Sequence, residues 1–278
     1  MSGPVAQRIP VLVISLARAA ERREKIVQHL QALGVEFRII EGVDGRALPA
    51  AQQQALLAPG LTYHAGVLGC YLSHLAAYQT VVDEGMDAAL VLEDDARLHP
   101  RVLPLLKQGC ASLDFDYCFL DSDDHNDRGS VFYDLNEAVM LSPGIEAHAL
   151  SAGPQTLHAY FVSQRGAGLR LQHALPMLKP IDIYDHLPYP IKFRSIVRPK
   201  LAWVSEESLV SFTSERSVEA DSLLFASLRR SPWFYRIRDL LQLKMVRSLR
   251  EVSVEKKAGR LSAGRSWKKL PAGREVIF

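Results

Sequence analysis

The chain has 278 residues, 48% of them hydrophobic, and a formal net charge of +2 at pH 7. A sequence of this length and composition can bury one large α/β core, and nothing in it requires two independent domains. It contains no apolar segment long enough to cross a bilayer and no signal peptide before its first predicted strand, so we expect a cytoplasmic protein.

The first forty residues are predicted to form a β-α-β unit. Residues 11–16 (VLVISL) have the pattern of a buried strand, and an amphipathic helix follows over residues 18–33 and ends at Gly34. Residues 35–40 then alternate between apolar and polar side chains, as a second strand does. A short surface helix between two loops is predicted within residues 45–62.

The most informative segment is residues 88–95 (AALVLEDD), an apolar strand that runs directly into Glu93, Asp94 and Asp95. It follows a predicted helix over residues 66–84. Three adjacent carboxylates repel one another, and oxygen ligands of this kind suit Mg²⁺ or Mn²⁺ rather than zinc. Because an α/β sheet presents polar groups to ligands at its strand ends, the pattern predicts a divalent cation and a phosphorylated substrate. The alternative is that these acids only end the strand and cap the following helix.

A second acidic cluster follows a predicted strand over residues 117–120. It contains Asp121, Asp123 and Asp124, and spacing alone does not decide which of the two clusters holds a metal. This cluster lines an acceptor pocket or is a turn of solvated acids. Residues 123–158 are polar and lack periodicity, which predicts a long loop that faces the acceptor or closes over the site.

The three cysteines are not predicted to bind metal. Their spacing does not match that of metal ligands, and their sequence neighbours are apolar: Cys70, Cys110 and Cys118. We therefore expect reduced thiols that pack in the core as small apolar side chains.

Four ordered motifs resemble those of glycosyltransferase family 25. They are residues 14–16 with 21–23 (ISL and ERR), 69–74 (GCYLSH), 92–96 (LEDDA) and 159–167 (AYFVSQRGA). That family contains lipooligosaccharide and lipopolysaccharide glycosyltransferases of Gram-negative bacteria, with collagen galactosyltransferases as distant relatives. Each motif alone is modest, but four in the same order are specific.

The resemblance implies a nucleotide-sugar-binding, Rossmann-like fold of the GT-A type, in which an Asp-x-Asp-like motif holds a divalent cation. Residues 93–95 match that motif, and the resemblance selects Asp94 and Asp95 over residues 121–124 for the metal. We expect Asp95 to bind the cation directly, Asp94 to contribute through the metal or the ribose, and Glu93 to take part in donor binding. Mn²⁺ or Mg²⁺ then stabilises the negative charge of the departing nucleoside diphosphate of a UDP-sugar.

Five further residues are predicted to contact the donor. Ser15 ends the first strand, and Arg22 and Arg23 lie just inside the first helix, where guanidinium groups can meet the diphosphate. Ser73 and His74 can approach the ribose or the sugar. The alternatives are solvent-exposed helix arginines and a histidine satisfied within the core.

The family resemblance also implies an inverting transfer, which needs a base for the attacking hydroxyl. Asp182 matches the family's Pro-hydrophobic-Asp element, and Asp185 and His186 follow closely. Any of the three can be the base or the last metal ligand, and we rank them Asp182, Asp185 and His186, with the two aspartates predicted as catalytic residues and His186 as a metal ligand.

The charge is distributed unevenly along the chain. Residues 229–278 carry a net charge of +10, whereas residues 1–228 carry −8. We predict a catalytic domain over residues 1–228 and a basic helical extension over 229–278. Aromatic, aliphatic and basic residues mix in 233–247, a composition that can lie on an anionic membrane surface or pack on the catalytic core. No nucleic-acid recognition motif accompanies the charge, so we do not expect nucleic acid as a partner.

Together these features predict an enzyme that moves a hexose, galactose from UDP-galactose, onto a lipid-linked oligosaccharide of lipooligosaccharide or lipopolysaccharide at the inner membrane. Two alternatives remain at this stage. A nucleotidyltransferase would require a glycine-rich phosphate loop near the first strand, and residues 16–19 offer none. A non-catalytic sugar- or membrane-binding module would have no need of the acidic strand end.

Overall fold

The computed structural model describes residues 9–108, 114–121, 125–126, 129–184, 186–188, 190–197, 199–205 and 267–269. The α/β prediction is confirmed, because helices flank a large mixed sheet. The helices are α1 (Ala20–Ala32), α2 (Ala50–Leu56), α3 (Ala65–Asp83), α4 (Leu103–Gln108) and α5 (Gln164–Gln172). The strands are β1 (Val11–Ser15), β2 (Arg38–Glu41), β3 (Ala88–Glu93), β4 (Ala96–Leu98), β5 (Tyr117–Phe119), β6 (His125–Asn126), β7 (Gly129–Ser130), β8 (Phe132–Ser142), β9 (Ile145–Leu150), β10 (Ala159–Ser163), β11 (Phe193–Ile196), β12 (Ala202–Val204) and β13 (Trp267–Lys269).

Within the described part of the chain, the central sheet has nine strands in the order β13-β8-β9-β11-β5-β10-β3-β1-β2. Strands β2, β1 and β3 are parallel to one another. Strand β10 is antiparallel to both of its neighbours, β3 and β5. The carboxyl end of β3 therefore lies beside the carboxyl end of β1 and the amino end of β10, and these three ends frame one edge of the sheet.

The predicted β-α-β unit is confirmed, with strands slightly shorter than expected. Gly34 ends α1 as predicted, since it adopts a φ of 66°, which side chains other than glycine's rarely tolerate. Alternate residues of β1 face opposite sides of the sheet. Val11 and Val13 pack in the cluster that contains Ile26 of α1, whereas Leu12 and Ile14 pack in the cluster of α3. Helices on both faces explain why these strands are continuously apolar.

The prediction of a long loop over residues 123–158 is wrong for much of that segment. Strands β8 and β9 form an antiparallel hairpin there, with Gly144 at its turn in a conformation of positive φ. The register of the pair shifts between Tyr133 and Ala138 and again between Met140 and Ser142. These irregularities break the two-residue alternation that identifies a strand in a sequence.

The basic segment over residues 229–278 is described only at Trp267–Lys269. Those residues form β13, which pairs with Phe132 to Asp134 of β8 at the edge of the sheet. The rest of the predicted extension, including residues 233–247, lies outside the described residues. In the part of the chain that the structure describes, no helix has the length and hydropathy needed to cross a membrane.

His29 joins α1 to β4 and should make the stability of the fold depend on pH. The backbone N–H of Leu98 donates to His29 Nε2 at 2.9 Å, and burial together with the charge of Arg97 lowers the pKa of His29. The unfolded chain therefore binds a proton at His29 more readily, so this contribution to stability is present above about pH 6.5 and falls as the pH drops.

We expect the free energy of unfolding to decrease by up to about 1 kcal/mol through His29 between about pH 7.5 and 5.5, the scale of one hydrogen bond. His29→Gln offers a matched control, since an amide oxygen can accept the same N–H without titrating. Urea unfolding across this pH range measures both proteins, and an identical pH dependence in the two would contradict the assignment.

Candidate active site

The acidic residues predicted from the sequence lie at the framed edge of the sheet. Glu93 is the last residue of β3, and Asp94 and Asp95 form the turn that leads into β4. The turn also faces His158, the residue before β10, because β10 runs antiparallel to β3 and its first residue pairs with Leu92. The backbone of Glu93 donates to the carbonyl of His158 at 2.9 Å, which fixes the two segments together.

Asp94 is held by residues of the β1-α1 unit. It accepts a hydrogen bond from Ser15 Oγ at 2.9 Å and forms an ion pair with Arg22. Burial raises the pKa of Asp94 in spite of these two partners. Ser15 and Arg22 thus contact the acidic turn directly, and their predicted role in donor binding remains a prediction.

Asp95 combines one paired oxygen with one unpaired oxygen. Its Oδ2 lies 3.1 Å from Arg22 Nη2, whereas its buried Oδ1 has no hydrogen-bond partner among the described residues and lies 3.9 Å from His158 Nδ1. Burial and the neighbouring charge of Glu93 raise the pKa of Asp95 to about 6. A buried carboxylate oxygen without a partner is costly, and a bound cation would remove that cost.

Glu93 lies between two histidines. Its Oε1 is 3.2 Å from His74 Nε2, and its Oε2 is 3.4 Å from His158 Nδ1. Burial alone would raise the pKa of Glu93, but the two histidines outweigh burial and hold that pKa below its usual range. Burial likewise opposes protonation of His158, yet Glu93 and Asp95 raise the pKa of His158 to about 9.

His74 is fixed from behind by buried tyrosines. Its Nδ1 lies 2.7 Å from the hydroxyl of Tyr160, which donates in turn to the hydroxyl of Tyr78 at 3.0 Å. These side chains belong to different elements, α3 and β10, so the hydrogen bonds set the position of His74 relative to the acidic turn.

Among the residues that the structure describes, two groups of side chains offer ligand atoms that lie within 4.8 Å of one another. One consists of Glu93, Asp95 and His158, and the other of Cys70, His74 and Glu93. Two carboxylates and an imidazole suit Mn²⁺, and the unpaired Asp95 oxygen belongs to this first group. The residues therefore fit the divalent cation that the sequence predicts. Asp94 and His186 belong to neither group.

Arg23 and Ser73 stabilise the surroundings of the acidic turn. Arg23 Nη2 donates to the carbonyl of Ser15 and to both oxygens of Glu41, and its Nε donates to Ser15 Oγ at 3.3 Å, so its guanidinium contacts Ser15 and Glu41 and not the carboxylates of the acidic turn. The Ser73 hydroxyl accepts from the backbone N–H of Val43 at 2.8 Å and thereby holds the loop after β2 against α3. Whether either side chain also meets a donor remains a prediction.

The same loop explains the glycine of the GCYLSH motif. A Cβ at Gly69 would lie 2.5 Å from the carbonyl oxygen of Val43, and one at Gly45 would lie 1.8 Å from that of Ala65. No side chain fits where two backbones approach so closely. This motif thus combines a close packing contact with residues that face the acidic turn.

Asp182 lies within the electrostatic reach of the cluster. Burial raises its pKa, and the charges of Glu93 and His74 also act on it. The preceding backbone is anchored by Arg170, whose Nη2 donates to the carbonyls of Pro180 at 3.4 Å and Ile181 at 3.2 Å. Arg170 is fully buried in the monomer.

The other two predicted residues of this segment have different outcomes. His186 Nε2 lies 3.4 Å from Arg170 Nη1, on the side of the loop that packs against α5. Asp185 lies outside the described residues. The roles predicted for both remain predictions.

The second acidic cluster is described only at Asp121, since Asp123 and Asp124 lie outside the described residues. Asp121 Oδ1 pairs with Lys200 Nζ at 2.7 Å, and both side chains are largely buried. A lysine thus neutralises Asp121, which removes the need for a metal there. The predicted thiols also agree with the structure where it describes them, because neither Cys70 nor Cys118 forms a disulfide and Cys118 is buried.

Sequence reasoning missed three residues that shape the site: His158, Tyr160 and Arg170. His158 and Glu93 are far apart in the sequence, and only the antiparallel pairing of β10 with β3 brings them together. Tyr160 lies in the AYFVSQRGA motif, but its hydroxyl contact with His74 has no local pattern. Arg170 resembles any surface arginine of a helix until its burial is known.

Comparison with known proteins identifies the family of this chain. The family model "Glycosyltransferase family 25 (LPS biosynthesis protein)" matches residues 8–182, more than half of the chain. The chain belongs to glycosyltransferase family 25. All four motifs of the predicted resemblance lie inside the matched region, as do the acidic turn, His158 and Asp182, so the resemblance is confirmed.

Several family 25 relatives cover only part of this chain. The zebrafish (Danio rerio) procollagen galactosyltransferase 1 is 32% identical over 193 residues, 64% of this chain and 30% of that protein. The human procollagen galactosyltransferase 2 is 35% identical over 97 residues, 31% of this chain and 16% of that protein. The human inactive glycosyltransferase 25 family member 3 is 37% identical over 97 residues, with the same coverages of 31% and 16%. This chain therefore spans less than a third of the length of these relatives.

One solved structure was also similar to this family 25 member. It is the crystal structure of a glycosyltransferase involved in the glycosylation of the major capsid of PBCV-1, with 12% sequence identity. The alignment covers 60% of this chain and 63% of the other, with a TM-score of 0.29. A TM-score this low does not establish a shared fold, so the fold assignment depends on the sheet topology described above.

Proposed function

We propose that this protein is a metal-dependent, inverting hexosyltransferase that moves galactose from UDP-galactose onto a lipooligosaccharide or lipopolysaccharide acceptor. The observation that carries the proposal is the acidic turn after β3, where a buried oxygen of Asp95 lacks a partner beside Glu93 and His158. The family supports the reaction class. Relatives named galactosyltransferases and relatives named inactive match with similar identity, so the activity has to be argued from the site.

The proposed chemistry assigns separate tasks to the residues around the turn. Glu93, Asp95 and His158 would hold the cation, whose positive charge stabilises the leaving nucleoside diphosphate. Arg22 lies against both aspartates and is partly exposed, so its guanidinium can also meet the diphosphate oxygens. Ser15 fixes Asp94, and His74 fixes Glu93, so that neither carboxylate has to reorganise when the donor binds.

Asp182 is proposed as the base. Its carboxylate takes the proton of the acceptor hydroxyl while the hydroxyl oxygen forms a bond to the anomeric carbon and the bond to UDP breaks. The pKa of Asp182 is raised by burial, which makes its carboxylate a stronger proton acceptor than a solvated aspartate. The hydrogen bonds of Arg170 to the preceding carbonyls hold this segment in place.

The proposed acceptor follows the description of the family model and not the names of the individual relatives. The family model is described as an LPS biosynthesis protein, whereas the names of the relatives refer to procollagen. A lipid-linked bacterial oligosaccharide is our choice because the family resemblance first identified from the motifs includes those enzymes. Donor sugar, acceptor and linkage all belong to the proposal.

The direct test is metal-dependent release of UDP in the presence of acceptor. Purified protein would be screened against a panel of nucleotide sugars with a lipooligosaccharide acceptor, with Mn²⁺, with Mg²⁺ and with chelator. We expect UDP and galactosylated product only when UDP-galactose, acceptor and cation are all present. A nucleotidyltransferase would release pyrophosphate instead, and a non-catalytic module would release neither, so either result would overturn the proposal.

Arg22 and Arg23 provide a matched pair for donor binding. Because Arg22 contacts the acidic turn and Arg23 is occupied by Glu41, we expect Arg22→Ala to weaken UDP binding by roughly 1.5 to 3 kcal/mol, as for a charge-assisted hydrogen bond. Arg23→Ala should change UDP affinity much less. Calorimetry with excess Mn²⁺ measures both variants, and unchanged affinity in Arg22→Ala would return this residue to a purely structural role.

We also propose that the protein is cytoplasmic and binds the inner membrane peripherally through its basic segment. The support is the net charge of +10 over residues 229–278, which anionic lipids attract by about 1 kcal/mol per base close to the surface. Deleting the whole segment would also remove β13 from the sheet, so charge substitution is the better test. Replacing Arg229, Arg230, Arg236 and Arg238 with Gln should reduce salt-sensitive binding to anionic vesicles and preserve transfer to a short soluble acceptor. Unchanged vesicle binding would contradict the proposal.

A further inference from the structure

The second ligand group, Cys70, His74 and Glu93, differs in chemistry from the one assigned to the donor cation. Cys70 and His74 are four residues apart on α3, a spacing that places both side chains on one face of a helix. Glu93 faces them from the end of β3, and one ligand atom from each residue lies within 4.8 Å of the others. The proposed transfer reaction has no use for the thiol of Cys70.

The hydrogen bonds around His74 orient its Nε2 towards this ligand group. His74 Nδ1 hydrogen-bonds the hydroxyl of Tyr160 at 2.7 Å, which leaves Nε2 to face Glu93. Nε2 lies 3.2 Å from Glu93 Oε1, so a metal ion bound by both atoms would replace this hydrogen bond. An imidazole that donates through its other nitrogen to a fixed acceptor is the usual support of a metal ligand.

The spacing of the ligand atoms suits a small tetrahedral ion. Two ligands at about 2.0 to 2.1 Å from a tetrahedral zinc ion lie about 3.3 Å apart. His74 Nε2 and Glu93 Oε1 are separated by 3.2 Å. A set of one sulfur, one nitrogen and one oxygen suits Zn²⁺ better than Mg²⁺ or Mn²⁺, which prefer oxygen.

We propose that Cys70, His74 and Glu93 form a binding site for zinc or a similar soft divalent cation, distinct from the donor-cation site. A metal ligand set of this kind needs an unprotonated Nε2 on His74 and a thiolate on Cys70, so protons displaced from these atoms pass to solvent. Glu93 belongs to both groups, so zinc in this site engages the carboxylate that Asp95 and His158 would share with Mn²⁺ and weakens Mn²⁺ binding there. The effect on Mn²⁺ is reciprocal, since each cation lowers the affinity for the other by the same factor.

Cobalt is the probe that separates the two sites. A thiolate ligand gives Co²⁺ a near-ultraviolet sulfur-to-metal charge-transfer band, whereas the group of Glu93, Asp95 and His158 contains no sulfur. Anaerobic titration of the full-length protein with Co²⁺ should produce this band, and stoichiometric Zn²⁺ should abolish it. Absence of the band would overturn the proposal, whether or not cobalt binds elsewhere.

Two variants and one control define the ligands. Cys70→Ser should lose the band, and Tyr160→Phe should weaken zinc affinity by about 10- to 100-fold, as outer-shell partners of metal ligands typically do. Cys118→Ser removes the buried thiol of β5 and should keep the band. A band that survives in Cys70→Ser, or disappears in Cys118→Ser, would refute the assignment.

An activity measurement extends the proposal to regulation, and this part alone rests on the proposed function. With Mn²⁺ and donor held constant, Zn²⁺ should inhibit transfer by the native protein, and Cys70→Ser should keep its basal rate and resist that inhibition. If no transfer is found on any acceptor, the cobalt spectrum still decides the site. Equal inhibition of the two proteins by Zn²⁺ would remove the regulatory role.

Discussion

Asp95→Asn should reduce galactosyl transfer by several orders of magnitude and leave the fold intact. The substitution keeps the size of the side chain but removes the charge, so that the buried group of Glu93, Asp95 and His158 loses a ligand and the leaving UDP loses its stabilisation. EDTA should produce the same loss in the native protein, and added Mn²⁺ should reverse it. Initial rates and thermal unfolding, measured on the same preparations, separate loss of chemistry from loss of structure.

Asp121→Asn is the matched control for this prediction. Asp121 is also a largely buried acid at a strand end, but Lys200 neutralises it at 2.7 Å. Its substitution should lower stability by breaking an ion pair, whereas the dependence of the remaining activity on metal should stay as in the native protein. Native activity that survives exhaustive chelation would overturn the role of the acidic turn altogether.

The second large effect is expected at Asp182. Asp182→Ala should lower turnover by about 10²- to 10⁴-fold with little change in UDP-galactose affinity, because a base acts on the acceptor hydroxyl only as the bond forms. Asp182→Asn should be equally slow, since an amide fills the same space but accepts no proton. Steady-state kinetics give turnover, and calorimetry gives donor affinity.

The comparison between these two aspartates is informative in itself. Asp95→Asn should impair metal-dependent donor binding as well as turnover, whereas Asp182→Ala should impair turnover alone. Full turnover in Asp182→Ala would move the base to Asp185 or to the cluster of Asp121, Asp123 and Asp124. Loss of donor affinity in that variant would instead assign Asp182 to donor or metal binding.

The parts of the fold that the sequence predicted have strong local patterns. Strands β1 and β3 are continuous apolar runs because helices cover both of their faces. Gly34 marks the end of α1, and the acids of the turn mark the end of β3. The β8-β9 hairpin was missed because it lies towards the sheet edge, carries polar residues such as Asn136 and Glu137, and has two register shifts.

The site shows the same division between local and non-local information. The acidic turn was predicted because its three carboxylates are adjacent in the sequence. The partners that complete it, His158 and Tyr160, come from the start of β10, which lies far from β3 in the sequence and pairs with it antiparallel, so that its amino end meets the carboxyl end of β3. The orientation of β10 relative to β3 follows from the strand order, which a single sequence does not give.

The contact between Gly45 and Gly69 has a consequence for how this family can diversify. An added Cβ at either position would meet backbone atoms, the carbonyl oxygen of Ala65 in one case and that of Val43 in the other. The atoms in the way belong to the backbone, so replacing another side chain with a smaller one cannot make room for the added Cβ. We expect both glycines to persist through any change of sugar or acceptor, which makes this pair a marker of shared ancestry and not of specificity.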